Sequence, residues 1–152
     1  MRGYTRLLMK VYLDMCALKR PFDDQSQDRI GIETQAVMRV LGAFSAGVVE
    51  ICNSAALVFE NRQNPNPQRR DKVATLLASF GAPASATHPI FERDEEVRML
   101  GFHDMDALHI AFAENRAAGY FITTDEDILK RRERVKLAVK IVDPLEFLAR
   151  LD

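Results

Sequence analysis

The sequence predicts an α/β fold, a parallel sheet covered by helices on both faces. Three observations carry this. Short apolar runs of strand length alternate with segments of helical periodicity along the whole chain. The first of those runs is apolar at nearly every position, as in a strand buried on both sides. The 152 residues suit one domain, 1–152, around a single core.

Each element has a local reason. Residues 7–13, Leu-Leu-Met-Lys-Val-Tyr-Leu, form the first strand, closed by Asp14. Pro21 to Ser26 is rich in turn formers and reads as a loop. Over residues 28–46, Ile30, Val37, Val40, Leu41 and Phe44 recur at helical spacing, and Gly47 stops the helix. Val48, Val49, Ile51 and Cys52 make a second strand. Asn53 or Ser54 is the N-cap of a helix that runs to Gln63 and ends at Asn64-Pro65-Asn66-Pro67. Residues 68–80 are helical, with Val73, Leu76, Leu77 and Phe80 on one face. A loop follows, with a short third strand expected around residues 86–90, then a helix over 91–100. Residues 106–118 form a further helix, with Gly119 as its C′ residue. Residues 120–123 are a strand. A short helix over 124–132 follows, where Thr124 and Asp127 resemble a capping box. The last strand spans 139–142, and Pro144 starts a final helix over 145–151.

Composition narrows the function classes. The apolar share of 47% and charged share of 28% are those of a soluble globular protein. No apolar run approaches a membrane span of about 18 residues, and Lys10 and Asp14 break any signal-peptide core. A cytoplasmic location is therefore expected. The formal charge of −1 excludes a broadly basic nucleic-acid coat. It is compatible with an acidic metal pocket balanced by a local basic rim. Cys16 and Cys52 lack metal-ligand spacing and read as reduced thiols.

Four acids stand where a parallel sheet gathers its ligand-binding edge: Asp14, Glu60, Asp106 and Asp125. Asp14 and Asp125 follow strands, Asp106 opens a helix, and Glu60 lies late in one. Carboxylates brought into one cleft repel each other unless a cation neutralises them. Hard divalent cations prefer oxygen ligands, which points to Mg²⁺ or Mn²⁺. Each acid also has an ordinary reading as a helix cap or a solvated side chain. Asp104 competes with Asp106, and Asp127 with Asp125. His88, His103 and His109 have no metal-ligand spacing, and His109 reads as a packed or hydrogen-bonded residue. Lys130, Arg131, Arg132, Arg134 and Lys136 read as a solvated helix face, with an RNA rim as the alternative. Arg20, close to Asp14 in sequence, is the better candidate for touching phosphate or a partner's carboxylate.

An ordered set of motifs then resembles one family. It comprises Tyr12-Leu13-Asp14, Arg20-Pro21-Phe22-Asp23-Asp24-Gln25, Val58-Phe59-Glu60, Asp106-Ala107-Leu108-His109-Ile110-Ala111 and Tyr120-Phe121-Ile122-Thr123-Thr124-Asp125. Together these resemble the PIN domain, most closely the VapC-type toxins, over nearly the whole chain. The resemblance implies a three-layer α/β/α sandwich with a mostly parallel five-stranded sheet. It implies a Mg²⁺- or Mn²⁺-dependent endoribonuclease that cuts single-stranded RNA, with Asp14, Glu60, Asp106 and Asp125 as the acidic quartet. It also implies a cognate antitoxin and a homodimer, and gives Asn53, Ser54 and Thr124 a place beside the substrate. One departure stands out: Met15-Cys16 follows Asp14 where many members carry a polar pair. That departure motivates an alternative, a PIN-fold subunit that binds a partner and does not catalyse. A receiver-like phosphotransfer domain is disfavoured, because no second acid of a DxD pattern follows the first strand.

Overall fold

In the computed structural model, which describes residues 8–151, four strands build one sheet. They are β1 (Met9–Leu13), β2 (Val49–Ile51), β3 (Tyr120–Ile122) and β4 (Lys140–Val142), all parallel, in the order β2-β1-β3-β4. Val11 pairs with Ile51 on one side and Tyr120 on the other, so β1 is central. That position explains its composition: Val11, Tyr12 and Leu13 are fully buried, as a strand covered on both faces requires. Leu7, also expected in this strand, lies outside the described residues.

Eight helices flank the sheet among the described residues: α1 (Met15–Lys19), α2 (Asp28–Ser45), α3 (Ala55–Arg62), α4 (Pro67–Ser79), α5 (His88–Met99), α6 (Asp104–Asn115), α7 (Glu126–Arg131) and α8 (Pro144–Leu151). The chain leaves β1 for β2 in one direction and returns past β1 to β3 in the other. Right-handed crossovers then set the two groups of helices on opposite faces. The packing agrees. Helix α2 lies against α8, while α6 packs on α5 and α3. This is the three-layer α/β/α arrangement. The reversal falls between β1 and β3, and their carboxyl ends open the crevice where such folds bind ligands.

Four local differences from the sequence reading have physical causes. The fifth strand is reduced to a bridge between Ser54 and Ala84, where Ala55 N–H donates to the Ala84 carbonyl at 2.8 Å. Pro83 offers no N–H to a ladder, and Pro89 already sits in the first turn of α5, which starts at His88. A second difference follows Asp14, where α1 and a 3₁₀ turn (Arg20–Phe22) replace the start of the expected loop. Third, α6 begins at Asp104. Its C-terminal left-handed residue is Ala117 (φ 58°), not Gly119, and Ala118 N–H closes onto the Ala113 carbonyl at 2.9 Å. Fourth, Asp125 and not Thr124 is the N-cap of α7.

Candidate metal centre

Asp14 is only 4% exposed, and its own N–H donates to the Ile122 carbonyl at 2.9 Å, which ties it to the end of β3. Its Oδ1 accepts from Met15 N–H at 2.8 Å and so caps α1. Its Oδ2 accepts from the Thr123 hydroxyl at 2.9 Å and from the Cys16 thiol at 3.2 Å. The thiol thus stands where the motif resemblance leads one to expect a polar side chain, and an S–H is a weak donor. Burial pushes the Cys16 thiol far up from its usual range, and the Asp14 charge adds to this, although hydrogen bonds from Thr123 and Thr124 pull the other way.

Asp125 is the N-cap of α7. Its Oδ1 accepts from Asp127 N–H at 2.8 Å and Ile128 N–H at 3.3 Å. Its own N–H donates to Thr123 Oγ1 at 3.0 Å. One threonine hydroxyl therefore touches both Asp14 and the backbone of Asp125.

Asp106 lies in the first turn of α6, half-buried. Its carboxyl is pushed up to about 6, first by burial, then by the charges of Asp14 and Asp125, with His109 and His103 pulling it down. The three aspartates are thus close enough to disturb one another. Asp104 is separated from this group: its side chain is 89% exposed and lies 3.8 Å from Arg98. Asp127 is exposed and serves α7 through its backbone N–H.

Glu60 reaches the same cleft from α3, and its Oε1 lies 2.6 Å from His109 Nε2. Asp14, Glu60 and His109 present ligand atoms within 4.8 Å of one another. The oxygen-rich donors fit a hard divalent cation.

The remaining sequence candidates are held by the protein itself. Arg20 lies 3.0 Å from both Asp23 and Glu33. Asn53 donates to the Leu77 and Gly81 carbonyls at 2.9 Å each, and its Oδ1 accepts from Ser54 N–H. Ser54 caps α3 through Leu57 N–H at 3.1 Å and lies 2.6 Å from the Tyr12 hydroxyl. Thr124 is 2% exposed, and its hydroxyl oxygen is buried. In the basic cluster, Arg132 is tied to Glu146 at 2.7 Å.

Tyr12, His109 and Thr123 are the site neighbours that the sequence reading did not assign. His109 had a signal. It stands three residues after Asp106 and so shares its face of α6. Thr123 follows β3 directly, which puts it at the same level as Asp14. Tyr12 had no comparable mark.

No protein-family model and no curated protein matches the chain. Among solved structures, one match is a chain of VapBC2 from Rickettsia felis, in a crystal structure bound to a DNA fragment from their promoter. The alignment covers 89% of this chain and 98% of that one, with a TM-score of 0.58 and 12% sequence identity. Such a likeness bears on the fold alone, and the α/β arrangement of the chain agrees with the PIN-like fold that its motifs resemble.

Proposed function

We propose that the chain is a Mg²⁺- or Mn²⁺-dependent endoribonuclease that hydrolyses single-stranded RNA, acting in the cytoplasm as the toxin of a type II toxin–antitoxin pair. One observation carries the reading. Asp14, Glu60 and His109 present ligand atoms within 4.8 Å of one another at the switch point of the sheet, and Asp106 is pushed up to about 6, first by burial and then by the charges of Asp14 and Asp125. Perturbed carboxyls of this kind cluster at functional sites. When bound, a divalent cation would supply a stronger water nucleophile and shield the phosphate's developing charge.

Asp14, Asp106 and Asp125 would hold the cation, and Glu60 would hold it too or orient the attacking water. The chain preorganises this set. Met15 N–H and the Thr123 hydroxyl fix Asp14, and the helix cap fixes Asp125. Positioned carboxylates of this kind are what phosphodiester hydrolysis asks of a scaffold. Arg20, Asn53 and Ser54 act behind the site, since their polar groups are already engaged. Thr124 is buried like Asn53 and Ser54 and acts behind the site with them.

The VapBC2 likeness supports an antitoxin as partner. Ile32 and Met38 on α2 and Phe59 on α3 are large exposed apolar side chains, the places to seek a homodimer contact. No helix among the described residues is long and apolar enough to cross a membrane. Cleavage of structured RNAs with single-stranded loops, in Mn²⁺, tests the reading. Wild type should cut, while Asp14→Asn and Asp106→Asn should lose at least a hundredfold in rate; equal activity in all three would sink it.

A second reading is a PIN-fold partner subunit without catalysis. The weak thiol donor on Asp14 Oδ2 favours it. Calorimetric titration with Mn²⁺ separates the two, because this reading expects no binding.

A further inference from the structure

A chain of short hydrogen bonds leads into the acidic cleft from the protein interior. Ser54 Oγ lies 2.6 Å from Tyr12 Oη, Tyr12 Oη lies 2.6 Å from His109 Nδ1, and His109 Nε2 lies 2.6 Å from Glu60 Oε1. Ser54, Tyr12 and His109 are all fully buried. We propose that His109 is a positioning residue whose Nε2–H holds the Glu60 carboxylate toward the metal site, in a tautomer that Tyr12 and Ser54 support. The inference rests on the metal-dependent reading of that site and deepens it.

The direction of the chain follows from its outer end. The Glu60 carboxylate only accepts, so the His109 ring proton resides on Nε2. Nδ1 then accepts from the Tyr12 phenol, Tyr12 Oη accepts from the Ser54 hydroxyl, and Ser54 Oγ accepts from Leu57 N–H. Running the chain the other way sets the Nε2 lone pair 2.6 Å from a carboxylate lone pair.

The rings are held in place. Tyr12 stacks on Phe121 with centroids 5.5 Å apart and meets His109 at 5.6 Å. Glu60 needs such support: its side chain is 33% exposed, and an unrestrained glutamate loses rotamer freedom whenever it is recruited. His109 is three residues from Asp106 on one helix face, so the same helix sets both groups. Hydrogen-bond partners behind metal-binding side chains commonly govern affinity as strongly as this.

Nitrogen NMR of histidine-labelled wild type, with and without Mg²⁺, reads the tautomer directly. Nε2 is expected to carry the proton, and Nδ1 to accept, in both states. Loss of the Nε2 proton on adding Mg²⁺ would make His109 a ligand and overturn the inference. Mn²⁺ titration of variants gives the second arm. His109→Leu should bind about ten- to a hundredfold more weakly, and His109→Gln, which keeps an N–H for Glu60, should recover part of the loss. Tyr12→Phe should weaken binding to a smaller degree. Wild-type affinity in His109→Leu overturns the inference, even in a protein that cuts RNA. Weakened Mn²⁺ binding in a protein that cuts no RNA supports it and removes the nuclease reading alone. A wild type that binds no Mn²⁺ removes both. Should His109→Leu fail to fold, the wild-type tautomer and Tyr12→Phe decide.

Discussion

Thr123 Oγ1 lies 2.9 Å from Asp14 Oδ2 and donates to it, which ties the ends of two neighbouring strands together. The same oxygen accepts from Asp125 N–H at 3.0 Å. A single hydroxyl thus sets the spacing of two carboxylate-bearing residues. Thr123→Val keeps the shape and deletes the bond, and it leaves Asp14 Oδ2 with the weaker thiol donor. A hydrogen bond to a charged buried group is worth about 1.5–3 kcal/mol. A loss of that size is expected in urea unfolding with EDTA present. An unchanged midpoint would mean that the hydroxyl does not anchor Asp14.

Asp106 gives the metal-free protein a specific pH dependence. Its carboxyl is held at about 6 in the folded state against an ordinary value of 3.8. Between those values the folded state binds more protons than the unfolded, so stability falls as pH rises through that window. Asp106→Asn cannot ionise and escapes the loss. In EDTA it should melt higher than wild type at pH 8, and the gap should close as the pH is lowered to about 4. Thermal unfolding across that range checks this, and a gap independent of pH would contradict it.

Ala117 occupies a left-handed conformation at φ 58°, which costs a residue with a Cβ roughly 1–2 kcal/mol. Glycine avoids that cost but loses more freedom on folding. Ala117→Gly is therefore expected to stabilise by about 0.5–1 kcal/mol, a rise of about 1–4 °C in melting temperature for a chain of this size. A fall would show that the turn after α6 is not strained.

Cys16 and Cys52 should resist alkylation. Burial raises both thiols, and Asp14 raises Cys16 further. The thiolate is the reacting form. Iodoacetamide at pH 8, followed by mass spectrometry, should label both at least tenfold faster in urea than in the folded protein. Prompt labelling of native Cys16 would mean that the Asp14 pocket opens readily.

Strands were legible where burial is two-sided. Val11, Tyr12 and Leu13 admit no solvent, so their composition announces the strand and thus the place of Asp14. Asp106 and Asp125 were singled out from Asp104 and Asp127 by the motif resemblance, since position alone did not separate them. In the fold the charges of Asp14 and Asp125 both act on the Asp106 carboxyl. Helix α1 was hidden, because five residues are too few for a period and Met15, Ala17 and Leu18 are all buried. Alanine at position 117 gives no sign of a left-handed turn, while Gly119 two residues later does. Partners distant in sequence were also out of reach. Arg20 reads as a free cation until Glu33 is placed beside it, and Glu60 reads as solvated until the fold brings His109 across 49 residues.

The strand order also bears on how the protein is made. β1 is synthesised first, yet one of its edges waits for β3, at residues 120–122. A ribosome adds roughly 5–20 residues per second, so for several seconds the emerging chain carries an unpaired central strand. Such an edge attracts other strands, which makes early chaperone contact at β1 valuable. During that interval Asp14 and Glu60 have neither Thr123 nor Asp125 beside them, and a prematurely terminated translation product would have no assembled acidic centre.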